Sequence, residues 1–288
     1  MNNYVLFTDS GCDIKPKLLK QWGVGYCNLT FRFDGEQTEY TSEDMPIKEF
    51  YDRMRAGGTA KTSAINMATF QEAFERALKQ GLDVLYLGFS SGLSTTYQSA
   101  VMAAQQLQEQ YPQRKVLTVD TLCASAGQGL LLYLTLQKKN AGATIEEAAA
   151  YAEGLKQNIY HWVTVNDLVY LKRGGRISPT VAFMGNLLGI KPMIYVNEEG
   201  KLLNVEKARG RKAALKSLAD QYGQLALDAE NGTVFISHSD CLEDVNELCR
   251  MLQSRYNAKV ELITDIGTVI GAHTGPGAIA LCFLAEHR

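Results

Sequence analysis

The side chains of this sequence best suited to chemistry are hydroxyls gathered beside glycines. In Gly88-Phe89-Ser90-Ser91-Gly92-Leu93-Ser94-Thr95-Thr96-Tyr97 a glycine- and hydroxyl-rich turn joins an expected strand to an expected helix. Free N–H groups at a helix N-terminus favour an anion, because unpaired donors and the partial positive charge of the helix end act together. Ser94 is the best-placed hydroxyl there, and N-capping by the same side chain is compatible with ligand binding. Thr62 and Ser63 close a second glycine-bearing loop, Gly58-Thr59-Ala60-Lys61-Thr62-Ser63, and suit a carboxylate or phosphate as well as they suit solvent. That loop is no nucleotide-binding P-loop: Arg55 and Ala60 stand where glycines are needed, and a helix precedes it instead of a strand.

Cations and an imidazole complete the set. Lys172-Arg173-Gly174-Gly175-Arg176-Ile177-Ser178-Pro179 places two guanidinium groups around a turn, ahead of an expected helix with Pro179 in its first position. The planar fork of arginine binds oxyanions bidentately, although a solvated basic turn reads equally well. His273 lies among Gly271, Gly275 and Gly277 in what reads as a glycine-rich loop holding the ring in place. Of the four histidines it is the strongest functional candidate; His161 beside Trp162 reads as packing, His238 as a turn cap and His287 as part of a frayed end. No His/Asp/Glu cluster has metal-ligand spacing, and no cofactor is expected.

Two rival readings use the same residues. Gly88-x-Ser90-x-Gly92 matches the nucleophile elbow of α/β-hydrolases, and Asp265 and His273 follow in the matching order. A serine hydrolase using Ser90 and His273 is therefore one alternative, although an elbow starts its helix directly after the serine and here Gly92 and Ser94 postpone it. A small anionic-ligand sensor is the other.

Composition narrows the classes. With 46% hydrophobic and 21% charged residues over 288, the chain has apolar material for a core and a cavity. A net charge of −2 offers no basic field for a phosphate backbone, which disfavours nucleic acid as a partner. Six cysteines without paired spacing read as reduced thiols. No apolar run is long enough to span a bilayer and the N-terminus lacks the pattern of a secretion signal, so a cytoplasmic protein without integral membrane association is expected.

The elements that must position these residues alternate between strand and helix in the first half, as in βαβ units. Strands are expected at 4–8, 83–89 and 116–120, each ending in a small or polar cluster. Helices are expected from a capping box at Thr69 and Glu72 to Gly81, from Ser94 past Leu107, and from a second capping box at Thr144 and Glu147 to about Asn158. Residues 26–60, with the turn dipeptide Asp34-Gly35 and a short helix Ile47–Met54, read as an insertion packing over the sheet. After about 160 the rhythm changes, and Glu198-Glu199-Gly200 reads as a hairpin turn between Met193–Val196 and Leu202–Val205. The expected fold is α/β in two domains: 1–160 with a mostly parallel sheet flanked by helices, and 161–288 with a mixed or antiparallel sheet.

Thr8-Asp9-Ser10, Thr62-Ser63, Ser90 through Tyr97, Asp120-Thr121, Arg173-Gly174-Gly175-Arg176-Ile177-Ser178 and Gly271-Ala272-His273-Thr274-Gly275-Pro276-Gly277 occur in that order along almost the whole chain. Together they resemble the DegV family. The resemblance implies a two-domain protein that holds one long-chain fatty acid between its domains. It implies Thr62 and Ser94 at the carboxylate, with Ser63 and His273 close by, and Arg173 and Arg176 for phosphotransfer or for docking a fatty acid kinase subunit. A protein of this kind is not catalytic alone; it presents its lipid for phosphorylation by a partner kinase or carries it in lipid transport. The apolar run 181–194 suits a tunnel wall, and equally a core helix followed by a strand. Cys12 departs from the family pattern, which favours an acidic or small residue there, and Gly92 and Thr95 fall at variable positions.

Overall fold

The computed structural model describes residues 3–177 and 189–288. Its first sheet is wholly parallel, in the order β2-β1-β5-β6, from β1 (Tyr4–Asp9), β2 (Gly25–Cys27), β5 (Asp83–Gly88) and β6 (Val116–Asp120). Val84, Leu85, Tyr86 and Leu87 are all buried, as befits a strand covered on both faces. Helices α3 (Met67–Lys79) and α4 (Thr96–Gln110) cover one of those faces, where Phe70 and Phe74 pack on Tyr86.

The second sheet is mixed, in the order β11-β10-β12-β7-β8-β9. It comprises β7 (Ile159–Thr164), β8 (Ile190–Val196), β9 (Leu202–Arg209), β10 (Val234–His238), β11 (Val260–Asp265) and β12 (Ile279–Leu284). Only β10 and β11 run parallel. The expected hairpin joins β8 to β9, with Gly200 at φ 71° in its turn. Helices α8 (Arg211–Leu225) and α9 (Leu242–Tyr256) cover the outer face through Leu215, Leu218 and Leu248.

Between the sheets lies α5 (Ser125–Asn140), with Leu130, Leu131, Leu132, Leu134 and Leu136 all buried. It shares one core with Leu85 and Leu87 of the first sheet and with Phe235, Ala280 and Cys282 of the second. A helix that is apolar all round must be enclosed, and α5 is what ties the two sheets together. Helix α6 (Ile145–Leu155) follows, opened by the capping box of Thr144 and Glu147.

Three expectations change. Helix α3 starts at Met67 because the Asn66 side chain accepts from Thr69 N–H at 2.9 Å, so Thr69 and Glu72 form no capping box. The segment after Cys27 packs mainly elsewhere than over the parallel sheet. Strands β3 (Thr30–Phe33) and β4 (Ala60–Ser63) pair antiparallel, and with α2 (Ile47–Arg55) they build a separate aromatic core of Phe31, Phe33, Phe50 and Tyr51 that reaches Ala272. Residues 25–27 join the parallel sheet instead. The stretch around His273 is not a loop: Thr268–Thr274 form helix α10, and only Gly275 and Gly277 of its glycines have positive φ. Arg173 ends helix α7 (Val169–Arg173), while the helix expected at Pro179 and the wall residues 181–188 lie outside the described residues.

Candidate functional site

The loops at the carboxyl ends of the parallel strands are held by one buried carboxylate. Asp9 accepts from Gly11 N at 2.9 Å, Phe89 N at 2.8 Å and the Tyr86 hydroxyl at 2.5 Å. Burial pushes its pKa upward, against these hydrogen bonds. Asp9 thereby fixes the start of the loop after β5, which places Ser91, Leu93 and Ser94 along a cavity.

That cavity, of about 460 Å³, lies between the two sheets, within the size range of small-molecule sites. From the first half it is bordered by Leu29, Phe89 and Leu93; from the second by Val163, Ile194 and Val269. Strand β7 explains much of the inner wall, since alternation turns His161 and Val163 to one face, and Val165 continues the row.

A cluster of polar groups borders the cavity. Thr62 on β4 and His273 on α10 meet with Oγ1 and Nε2 2.9 Å apart. The Nδ1 of His273 is buried without a hydrogen-bond partner. Burial, followed by the nearby Arg176 cation, lowers the His273 pKa to about 4, so the ring is neutral at neutral pH and acts as a hydrogen-bonding group. Gly174 makes room for this ring: a Cβ there would stand 2.0 Å from Nδ1.

Ser94 does not cap α4 as N-cap, because the helix begins at Thr96; its Oγ accepts from Thr96 N at 3.2 Å and lies 2.9 Å from Thr96 Oγ1. The hydroxyl of Thr96 in turn accepts from Ile65 N at 3.4 Å, linking this loop to the strand of Thr62. Thr96 does not border the cavity but supports Ser94 from behind, a role for which its run of neighbouring hydroxyls was the only signal in the sequence. Arg176 is half-buried, donating from Nε to Leu93 O at 3.0 Å and from a terminal nitrogen to Gly174 O at 2.6 Å.

Of the residues expected at the site, the structure thus gathers Thr62, Ser94, His273 and Arg176 around one cavity. Ser63 borders its mouth, but its hydroxyl donates to Glu39 at 3.3 Å on the exposed face. Arg173 is exposed at the end of α7, 5.7 Å from the Tyr170 ring centre, and does not border the cavity.

The hydrolase constellation is not assembled. The Ser90 hydroxyl is buried and donates to Gly200 O at 2.8 Å, while Nε2 of His273 is engaged with Thr62. Asp265 ion-pairs with Lys15 at 3.0 Å and stands 3.8 Å from Nε2 of His238, the wrong histidine for a triad. Among the described residues no group of three or more His, Cys, Asp or Glu is arranged to hold a metal ion. None of the described helices is long and apolar enough to cross a membrane.

Fold and site define a two-domain α/β protein built around an internal cavity of mainly apolar lining that carries a cluster of hydroxyls, an imidazole and a guanidinium. The DegV family model matches residues 3–286, and the chain belongs to that family. It is 43% identical over 289 residues to a DegV domain-containing protein of Clostridium perfringens, covering 100% of this chain and 99% of the relative. A fatty-acid-binding DegV family protein from Thermus thermophilus superposes with a TM-score of 0.88 at 30% identity, over 98% of this chain and 99% of that one. A stearic acid-binding protein from Eubacterium ventriosum superposes with a TM-score of 0.88 at 26% identity, over 98% of each chain.

Proposed function

We propose that this protein binds one long-chain fatty acid, with its tail in the cavity between the sheets and its carboxylate against Thr62, Ser94 and His273. The observation that carries the reading is a polar cluster on a mainly apolar cavity: the hydroxyls of Thr62 and Ser94, the neutral imidazole of His273 and the Arg176 cation border a space whose other walls are mostly apolar. Hydroxyl and imidazole donors satisfy a carboxylate, and Arg176 offsets its charge. Each methylene taken from water adds about 0.8 kcal/mol, so a long tail supplies most of the affinity. The fatty acids held by the Thermus and Eubacterium relatives support the same ligand class here.

The protein acts in this reading as a carrier, not as a catalyst on its own. It presents the carboxyl group to a partner kinase subunit or delivers the lipid in transport, within the cytoplasm, where six unbridged cysteines are at home. Arg173 serves the partner: it is an exposed cation on α7, which packs against the helix of His273. Phosphotransfer by a partner asks this chain only for positioning and charge stabilisation, which Arg176 and His273 provide. The division of the chain into the two lobes falls near residue 160.

Native mass spectrometry of the purified protein, followed by lipid extraction, tests this directly. A single co-purifying fatty acid is expected; an empty protein that also fails to bind added palmitate or oleate overturns the reading.

A further inference from the structure

Away from the polar cluster, the lining of the cavity has an unexpected composition. On β12, Ile279 pairs with Thr164 and Cys282 with His161, so β7 runs towards the Pro276 and Gly277 turn that follows the helix of His273, and His161 lies on its far part. Val165, near that turn, and His161 are four positions apart, which places His161 about 13 Å further from the turn at the rise of an extended strand. There the first turn of α5 closes the enclosure with Ala124 and Ser125, and the His161 ring borders the space they leave.

His161 is 2% exposed and its two nitrogens are both engaged. Nδ1–H donates to Ile159 O at 3.2 Å, and Nε2 accepts from Ala124 N–H at 3.4 Å. These two bonds fix one neutral tautomer. Ser125 is equally committed: its hydroxyl bonds Asp13 and lies 2.8 Å from Ser237 Oγ. Neither side chain has a spare donor for a ligand, so both offer the tail end of a lipid a surface to abut. Gly127 is required for this arrangement, because a Cβ there would stand 1.9 Å from Nε2 of His161.

We infer that His161 is the end-stop of the cavity and sets the longest straight acyl chain the protein accepts. The inference rests on the fatty acid reading above. It names a specificity residue that makes no contact with the carboxylate, wedged between β7 and α5 where a smaller side chain would lengthen the cavity and a larger one would shorten it. The terminal methyl of the tail is the group it meets.

The test measures affinities of saturated fatty acids of about 12 to about 20 carbons for the full, delipidated chain, with the His161→Asn and His161→Phe variants alongside. Asparagine keeps a donor for Ile159 O but is shorter than imidazole, and phenylalanine is longer. The Asn variant is expected to move its optimum to longer chains, gaining about fourfold in Kd for each newly seated methylene. The Phe variant is expected to move it to shorter chains. Should His161→Asn fail to fold, Gly127→Ala, which drives the ring into the cavity, replaces it and is expected to shorten the optimum. Variants that bind with the native optimum overturn the end-stop alone. A native protein that binds no chain of any length overturns the fatty acid reading, and this inference with it.

Discussion

Thr62 and His273, 211 positions apart, meet through Oγ1 and Nε2 at 2.9 Å and so join strand β4 of the small sheet to helix α10 of the second half. The contact fixes the imidazole at the cavity mouth and leaves its Nδ1 unpaired. An isosteric Thr62→Val substitution removes the hydroxyl without changing the shape of the site. Affinity for palmitate is expected to fall by about 1–2 kcal/mol, roughly 5- to 30-fold. Isothermal titration calorimetry reads this, and an unchanged Kd would remove Thr62 from the head-group site.

His273 gives a pH signature. Burial and then Arg176 hold its pKa down at about 4, against 6.5 for an unperturbed ring. Between those values the unfolded chain takes up a proton that the folded chain does not, so His273 costs the fold stability as pH falls through that window. The slope is at most about 1.4 kcal/mol per pH unit. His273→Gln is expected to remove it, so the stability difference between variant and native protein changes with pH between 6.5 and 4 and is flat above. In an NMR titration the same imidazole is expected to titrate higher once a fatty acid carboxylate lies beside it, because the anion favours the imidazolium. A ring indifferent to loading would place the carboxylate elsewhere.

How far the sequence discloses this architecture depends on whether each signal is local. The alternation of β1, β5 and β6, the capping box of Thr144 and Glu147 and the turn at Gly200 are set by a few neighbours and are legible. Helix α5 left no amphipathic trace, because two sheets enclose it on opposite sides and its leucines need no polar face. The glycines around His273 suggested a loop, yet Gly271 is helical and is small for a tertiary reason: a Cβ there would stand 2.5 Å from the Tyr51 hydroxyl. The hydroxyls of Thr62 and Ser94 were identifiable by type and by family resemblance. That Thr96 couples them through Ile65, and that His161 faces the same cavity, depends on contacts between distant segments that no spacing reveals.

Ser90 separates carrier from hydrolase. Its hydroxyl donates to Gly200 O at 2.8 Å and accepts from Gly92 N at 3.1 Å, pinning the β8–β9 hairpin against the loop after β5. Ser90→Ala leaves a buried carbonyl unpaired and is expected to lower stability by about 1–3 kcal/mol, seen as a shift in the urea midpoint. Fatty acid affinity is expected to stay within about twofold, since Ser90 does not border the cavity. Ester turnover by the native protein that vanishes in this variant would reverse the assignment.

Asp13 makes the most informative stability variant, because it stands where three segments from both halves converge. Its carboxylate accepts from the Ser125 hydroxyl and, at 2.9 Å, from Gly267 N, while its own carbonyl accepts from Thr264 Oγ1 at 2.7 Å. Burial raises its pKa to about 7, with Asp265 and Asp9 adding to the effect and the hydrogen bonds opposing it. A folded-state pKa above the unfolded value means that the contribution of Asp13 is complete below about pH 4 and is lost as pH rises towards 7. Asp13→Asn keeps an acceptor for one of the two donors and cannot ionise. Relative to the native protein its melting temperature is therefore expected to be lower at pH 5 and to draw level or rise above it by pH 8. A deficit that stays constant across that range would mean that the Asp13 carboxylate is ionised throughout, held by its donors more strongly than its burial opposes.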